Sequence, residues 1–443
     1  MPVLRRRLDW CAPLSVATAL KDDVDPLALI AGADDPYRHG GRWSYVAAQP
    51  DQVQVVDIAA EGQLFAPLRS AQWKDVPTIG LVSYDAGARV ATGMRAPEWP
   101  DLILARYPAW LAFDHTLREV WACGWGNDHE AAHTALDRAA VWHGLRGDTD
   151  APDAPSEDFA AEAPDQIYRD AVSDVVRRIG EGELFQANIA RAWTGALKPE
   201  AEPFDVFARL ARRGAAYGAC WRIGGRAVVS NSPELFLSFD EARRHLEARP
   251  IKGTRPRYAD PLEDQSAAQA LLASDKDRAE NLMIVDLMRN DLGRLAETGS
   301  VRVDELWGLE THPTVHHLTS VVSATVRTQT AWPDVLEATF PAGSITGAPK
   351  HQAMKVIAAL EPPRGAWCGT LFASHMAADG VTAASVLIRS AFFQRIEGRW
   401  TWRTLAGAGI TADSDPQAEL EETSAKISAL EEALSGRAVG AAD

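Results

Sequence analysis

The chain has 443 residues, 46% hydrophobic and 24% charged, the composition of a globular protein rather than a disordered or fibrous one. Its formal net charge of -16 and sequence pI near 5.2 argue against a nucleic-acid or anionic-membrane partner. An anionic small molecule is still compatible with that charge, provided that positive residues are concentrated locally.

The opening "MPVLRRRLDWCAPL" is basic but lacks a sustained apolar core, and no run reaches the roughly 18 apolar residues of a membrane span. Neither an anchor nor a signal peptide is expected, and the cytoplasm is the default location. Residues 1–146 carry many tryptophans and short apolar runs such as "TIGLVSYDAGA", which read as an α/β or mostly-β region. Cys11, Cys123, Cys220 and Cys368 are scattered without a CxxC pair, so free thiols are expected. None sits in a Gly-x-Cys-x-Gly setting, so the nucleophile elbow of a glutaminase is not expected here.

Residues 147–166, "GDTDAPDAPSEDFAAEAPDQ", are rich in Ala, Pro and Asp and read as a linker or long surface loop. The remainder divides into a region at 167–432 and a tail at 433–443, with no fixed-period repeat. In "IYRDAVSDVVRRIGEGE" the positions Val172, Val175, Val176 and Ile179 form one helical stripe. Alternation follows in "LFQANIARAW", where Phe185, Ala187 and Ile189 are expected to face one way and Gln186 and Asn188 the other. "GRAVVSNSPELFLSF", "VHHLTSVVSATV" and "ASVLIRSAFF" read as further strands, and helices are expected near 275–296 and 416–435. Strands mixed irregularly with helices suggest an α+β fold with a largely antiparallel sheet core.

"RPIKGTRPR", residues 249–257, sets Lys252 between two prolines that stiffen the chain and beside Gly253, which permits a sharp bend. Such a frame could hold one amine in place, although a basic surface turn has the same composition. In the two acidic helices, Asp277 with Glu280 and Glu419 with Glu422 are three residues apart, so each pair shares a helix face and could bring oxygen ligands to a hard cation. Exposed helix faces are commonly acidic without binding metal.

"FPAGSITGAPK" lacks phosphate-loop spacing, because Lys350 lies three residues beyond Gly347. A nucleotide site is not expected there, though Ser344 and its adjacent N–H groups could bind an oxyanion. Gly407 and Gly409 would allow backbone to approach a carboxylate closely. His317 reads as a satisfied core histidine. Arg389, in an otherwise apolar run, needs an anion if it is buried.

Taken together, "PIKGTRPR", "GSITGAPK", "DLMRNDLG", "AGAGITADSD" and "EETSAK" resemble the chorismate-utilising enzyme family from about residue 165 to 430. A weaker N-terminal match, including "GRWSY", is to the component I type of anthranilate and aminodeoxychorismate synthases. The resemblance implies one α+β body of large antiparallel β-sheets surrounded by helices. It also implies chorismate as substrate, with Mg²⁺ on Glu280 and Glu422 and with Asp277 and Glu419 supporting them. Family members that add water to chorismate carry a lysine base where this chain has Gln186, so Gln186 implies the ammonia-using branch. Within that branch, Lys252 resembles the covalent nucleophile of the aminodeoxychorismate-forming type, whereas anthranilate-forming members typically carry Ala there.

The same resemblance implies a separate glutaminase subunit as the source of ammonia, in a pathway to 4-aminobenzoate and folate. Glu234 matches a carboxylate that shuttles the proton, and His317 and Ser344 match positions near the ring hydroxyl. Gln186, Thr254, Arg389, Gly407, Gly409 and Lys426 match positions that bind substrate. Departures occur after "WCG", where Phe372 and Ala373 replace a Gly-Tyr pair, and at Ala383, which replaces an Asp. With these departures, either the enolpyruvyl end is held differently, or the substrate differs, or activity is weakened. "LALIAGADDPYRHGGRWSY" lacks the form associated with tryptophan feedback. An anthranilate-forming component I and a weakly active chorismate- or partner-binding paralogue are the alternative readings.

Overall fold

In the computed structural model, which describes residues 2–31, 41–214, 216–312 and 315–436, strands from both ends of the chain are woven into two large antiparallel sheets. Among these residues the first sheet has 12 strands and the second has 10. The α+β expectation of antiparallel sheets surrounded by helices holds. Leu27–Ile30 pairs with Tyr217–Ile223 in the first sheet. Thr78–Val82 pairs with Thr370–Ser374 in the second, so residues on both sides of 147–166 contribute to both sheets. That intervening stretch is fastened to the first sheet: Ala160–Ala161 pairs with Trp193 and Thr194, and the Trp402 indole N–H donates to the buried Ser156 hydroxyl at 2.8 Å.

The largest apolar cluster lies where the sheets meet, with Trp110 and Trp221 of the first packed among Leu81, Leu104 and Phe239 of the second. Burial of such side chains supplies most of the favourable folding energy, at roughly 25 cal/mol per Å² of apolar surface. A second cluster seats Leu136, Phe207, Ile427 and Leu430 of three helices against Val46, Leu111 and Trp402. Helix Asp165–Gly180 buries Val172 and Val175 as its stripe requires, in a third cluster with Ala187, Ile189, Ile357 and Leu420.

The acidic helices occupy Asp275–Gly293 and Pro416–Ser435. Ser274 caps the first by accepting from the Asp277 N–H, and Asp415 caps the second by accepting from those of Gln417 and Ala418. Each satisfies N–H groups that have no partner within the helix.

Two strand expectations need correction. Phe185 precedes its strand, Gln186–Ala196, and is 70% exposed rather than aligned with Ala187 and Ile189. "ASVLIRSAFF" is not one strand: Thr382–Val386 belongs to the second sheet and Ser390–Ile396 to the first. Between them the chain changes sheets, and Arg389 at φ 53° adopts a left-handed conformation that non-glycine residues seldom take. "GRAVVSNSPELFLSF" crosses in the opposite direction, from Arg226–Ser232 to Leu235–Asp240. The two crossovers run side by side, with the Asn231 N–H donating to the Arg389 carbonyl at 3.0 Å and the Val386 N–H to the Glu234 carbonyl at 3.1 Å. Apolar periodicity could not separate one long strand from two short ones that change sheets.

Candidate active site

Lys252 lies on Ile251–Pro256, whose pairing with Val315–Thr325 is irregular between Ile251 and Thr254. This bulge re-aims the chain at Lys252. Gly253 next to it has φ +93°, and a Cβ there would come within 3.0 Å of the Asp277 Cβ. Both the backbone angle and the close approach favour glycine. The arginines of "RPIKGTRPR" each meet a carboxylate: Arg249 with Glu247 at 3.3 Å, Arg255 with Asp277 at 2.8 Å, and Arg257 with Asp264 at 2.7 Å. Lys252 makes no hydrogen bond or ion pair among the described residues.

Glu234, on the first crossover, is 5% exposed. Burial pushes its carboxyl up to about 7, against the opposing effects of a Ser344 hydrogen bond, the nearby Lys252 charge and the Ile251 N–H. Such a group can give and take a proton near neutrality. Ser344 lies in the short helical turn Gly343–Ile345, and a Cβ on Gly343 would come within 2.8 Å of Met288 Cε.

Gln186 and Gly409 come from neighbouring strands of the first sheet. A Cβ on Gly409 would fall 2.2 Å from Gln186 Nε2 and 3.3 Å from Lys252 Nζ, so the glycine lets three elements meet. Gln186 is 1% exposed, and its Oε1 is buried without a hydrogen-bond partner. A Cβ on Gly407 would fall 2.6 Å from Asn188 Oδ1.

Lys426 donates to the Gly407 carbonyl at 2.9 Å and pairs with Glu422 at 2.5 Å. Burial lowers the Lys426 ammonium from its usual range. Arg389 is half-buried, and its guanidinium has no hydrogen bond or ion pair among the described residues. Burial lowers it to about 10. Arg389, Lys426 and His317 line a cavity of about 120 Å³. His317 Nδ1 is hydrogen-bonded to Thr254 Oγ1 at 2.9 Å, and the His312 and His317 rings meet edge to face at 4.8 Å.

The four carboxylates are linked electrostatically in a chain, Asp277 with Glu280, Glu280 with Glu422 and Glu422 with Glu419. Burial raises Glu280, with Asp277 and Glu422 adding to the effect. Burial also raises Glu419, which is hydrogen-bonded to Ser414. Burial works to raise Glu422 as well, but neighbouring cations, led by Lys426, leave it below the usual range. Among the described residues, no three His, Cys, Asp or Glu side chains are close enough together to form a metal cluster as they stand. Asp277 and Glu422 are instead tied to Arg255 and Lys426.

Phe372, Ala373 and Ala383 lie elsewhere. The Phe372 ring fills the space over Gly80 and meets Trp332 at 5.5 Å. Ala373 and Ala383 are cross-strand partners that open onto a cavity of about 290 Å³ between the sheets. Arg389 lines the other cavity, so Ala373 and Ala383 open onto the inter-sheet space rather than onto the cavity at Arg389. Residues 32–40 of the segment compared with the tryptophan-feedback form lie outside the described residues, as do residues 437–443 of the tail.

The fully buried Arg364 was missing from the sequence reading, although its spacing from Glu361 in "EPPR" was a usable signal. It pairs with Glu361 at 2.9 Å and donates to the Ile345 and Asn188 carbonyls at 3.1 and 2.6 Å. It thereby joins the Ser344 turn to the Gln186 strand. Lys350, set aside as a nucleotide-binding lysine, instead pairs with Asp291 and donates to the Thr339 carbonyl at 3.0 Å.

A family model described as chorismate binding enzyme matches residues 29–432. Aminodeoxychorismate synthase component 1 of Klebsiella aerogenes is 37% identical over 360 residues, covering 80% of this chain and 76% of that protein. Anthranilate synthase component 1 of Aeropyrum pernix is 30% identical over 455 residues, covering 96% and 94%. Among solved structures, anthranilate synthase component I of Streptococcus pneumoniae TIGR4 aligns with a TM-score of 0.73 and 26% identity, covering 88% of this chain and 92% of that one. The chain therefore belongs to the chorismate binding enzyme family.

Proposed function

We propose that the protein converts chorismate and ammonia to 4-amino-4-deoxychorismate through a covalent intermediate on Lys252. The observation that carries this reading is the Lys252 amine, which has no hydrogen-bond or ion-pair partner among the described residues although Arg249, Arg255 and Arg257 of the same segment are paired, and which lies within electrostatic reach of a buried carboxyl titrating near 7. Lys252 in its unprotonated form attacks ring carbon C2, and the ring double bonds shift as the C4–oxygen bond breaks. Glu234 donates the proton that lets the hydroxyl leave as water, and its carboxylate then takes the proton released by the alkylated amine. Ammonia adds at C4, the C2–nitrogen bond breaks, and the proton lost by the new amine restores Lys252. Ser344 and His317 orient the departing hydroxyl, while Thr254 holds the His317 ring.

Substrate binding falls to Gln186, the Gly407 and Gly409 backbone, Lys426 and Arg389. The two acidic helices offer oxygen donors, the set that Mg²⁺ takes, and a dication would relieve the repulsion felt by Glu280 and Glu419. Glu280 and Glu422 would hold it, with Asp277 and Glu419 supporting. When bound, it would supply positive charge for the ring carboxylate. The ammonia source in this reading is a separate glutaminase subunit, in cytoplasmic 4-aminobenzoate and folate synthesis.

A second reading, anthranilate formation, is favoured by the fuller coverage of the chain by the Aeropyrum pernix relative. Mass spectrometry of products from chorismate, ammonium and Mg²⁺, with wild type beside Lys252→Ala, separates the two. Aminodeoxychorismate that is lost in the variant supports the lysine route, whereas anthranilate with pyruvate overturns it. Loss of turnover on chelation, restored by added Mg²⁺, supports the cation assignment.

A further inference from the structure

Asn231 has no place in the chemistry derived so far, yet it sits beside Arg389 on the paired crossover. Its neighbours are already engaged: Ser230 is hydrogen-bonded to Ser390 at 2.8 Å, and Ser232 donates to the Val386 carbonyl at 2.6 Å. The Asn231 backbone N–H donates to the Arg389 carbonyl at 3.0 Å, which fixes the two residues relative to each other. The Asn231 carboxamide, by contrast, makes no hydrogen bond among the described residues. It lines the same 120 Å³ cavity as Arg389, Lys426, His312 and His317. Two polar side chains without hydrogen-bond or ion-pair partners among the described residues, one a cation, thus line one small chamber.

Resting on the function proposed above, the chemistry of chorismate assigns that chamber. Attack by Lys252 at C2 puts C1 with its ring carboxylate on one side, and C3 with its enolpyruvyl ether on the other. The ring carboxylate belongs with Gly409, which lies against Lys252, and with the acidic helices. The enolpyruvyl carboxylate, on the C3 side, is then left to Arg389, a cation with no ion-pair partner among the described residues. A carboxylate has about four lone-pair sites, and one guanidinium face engages only two of them.

We propose that Asn231 is a specificity-determining residue that donates from Nδ2 to the enolpyruvyl carboxylate while Arg389 pairs with it. Its effect is on binding, because the carboxylate carries the same charge before and after the reaction. Removing the donor raises KM and leaves kcat nearly as it was.

The test measures chorismate binding calorimetrically in a Lys252→Ala background, beside steady-state kinetics in the otherwise native enzyme. Asn231→Leu, similar in volume, weakens chorismate about 10-fold, the scale of one hydrogen bond to a charged group. Asn231→Asp, nearly isosteric, weakens it further by setting a negative charge against the substrate. With the ring dihydroxy acid that lacks the enolpyruvyl group, the Asn231→Leu penalty disappears, which a merely structural role would not produce. Equal affinity of wild type and Asn231→Leu for chorismate overturns the proposal, as does the same penalty for both ligands. No chorismate binding by wild type overturns the functional reading as well, whereas anthranilate as product with the penalty intact overturns only the amination step.

Discussion

Two clusters of ionisable side chains lie within this fold and differ in one respect. Around Glu361 and Arg364 the groups are matched: the carboxylate accepts from Arg364 and from the Ala190 N–H at 2.7 Å, and the guanidinium also reaches two carbonyls. Arg364 further lies over the Tyr84 and Trp367 rings at 4.7 and 5.1 Å. Around Lys252 the opposite holds. Lys252, Arg389 and Gln186 Oε1 have no hydrogen-bond or ion-pair partner among the described residues, and Glu234 is raised to about 7 by burial. A buried polar group without a partner is costly, so the second cluster retains a strain that a substrate can relieve. The first spends its charges on joining strands. Mutations should therefore separate the two, one cluster governing turnover and the other stability.

The largest expected effect is that of Lys252→Ala, which lowers turnover by about 10³-fold or more while the thermal midpoint is kept or raised. An unfolded variant would break the comparison, since it would make Lys252 part of the scaffold. Next comes Glu234→Gln, which lowers kcat by about 10²- to 10⁴-fold. In the wild type, the step that needs the Glu234 proton slows as pH rises through about 7.

The Glu234 carboxyl also affects stability with a defined sign. It holds its proton more tightly folded than unfolded, moving from 4.5 to about 7, so the folded state loses stability as pH rises across that interval. Glu234→Gln is free of that loss. Denaturation at pH 4 should show little difference from this source, whereas at pH 8 the variant gains on the order of 3 kcal/mol relative to wild type. A constant offset would contradict the assignment.

Glu361→Ala removes one partner of a buried pair and strands Arg364. Urea denaturation should show a loss of about 3–5 kcal/mol, and any variant that stays folded should keep its chorismate affinity. The smallest effect is expected for Phe185→Ser. The side chain is 70% exposed beside the Gln186 strand, so stability should move by no more than about 0.5 kcal/mol. A larger fall would show that Phe185 packs on something.

Much of the local architecture was legible in the residues. The stripe at Val172 and Val175 marked a helix, the carboxylate pairs lay on helices where expected, and Pro250, Gly253 and Pro256 marked an unusual frame around Lys252. Placement beyond nearest neighbours was not. "ASVLIRSAFF" carries no sign that it changes sheets at Arg389, because apolar alternation is the same on either side of the crossing. Ala373 and Ala383 read as changes near the substrate, yet strand alternation turns both into the inter-sheet cavity. The significance of Asn231 depends on its pairing with a strand some 160 residues away, which local spacing does not encode.

By itself, then, the sequence determined caps, helix faces, the glycine that permits the bend after Lys252, and the set of reactive groups. Each of these follows from backbone sterics and periodicities that act over a few residues. The tertiary structure alone decided which charges are paired and which are left open. Desolvation and hydrogen-bond satisfaction depend on the whole surroundings of an atom, and here distant segments supply them: Asn188 and Ile345 to Arg364, Asp277 to Arg255, and, among the described residues, no hydrogen-bond or ion-pair partner to Lys252.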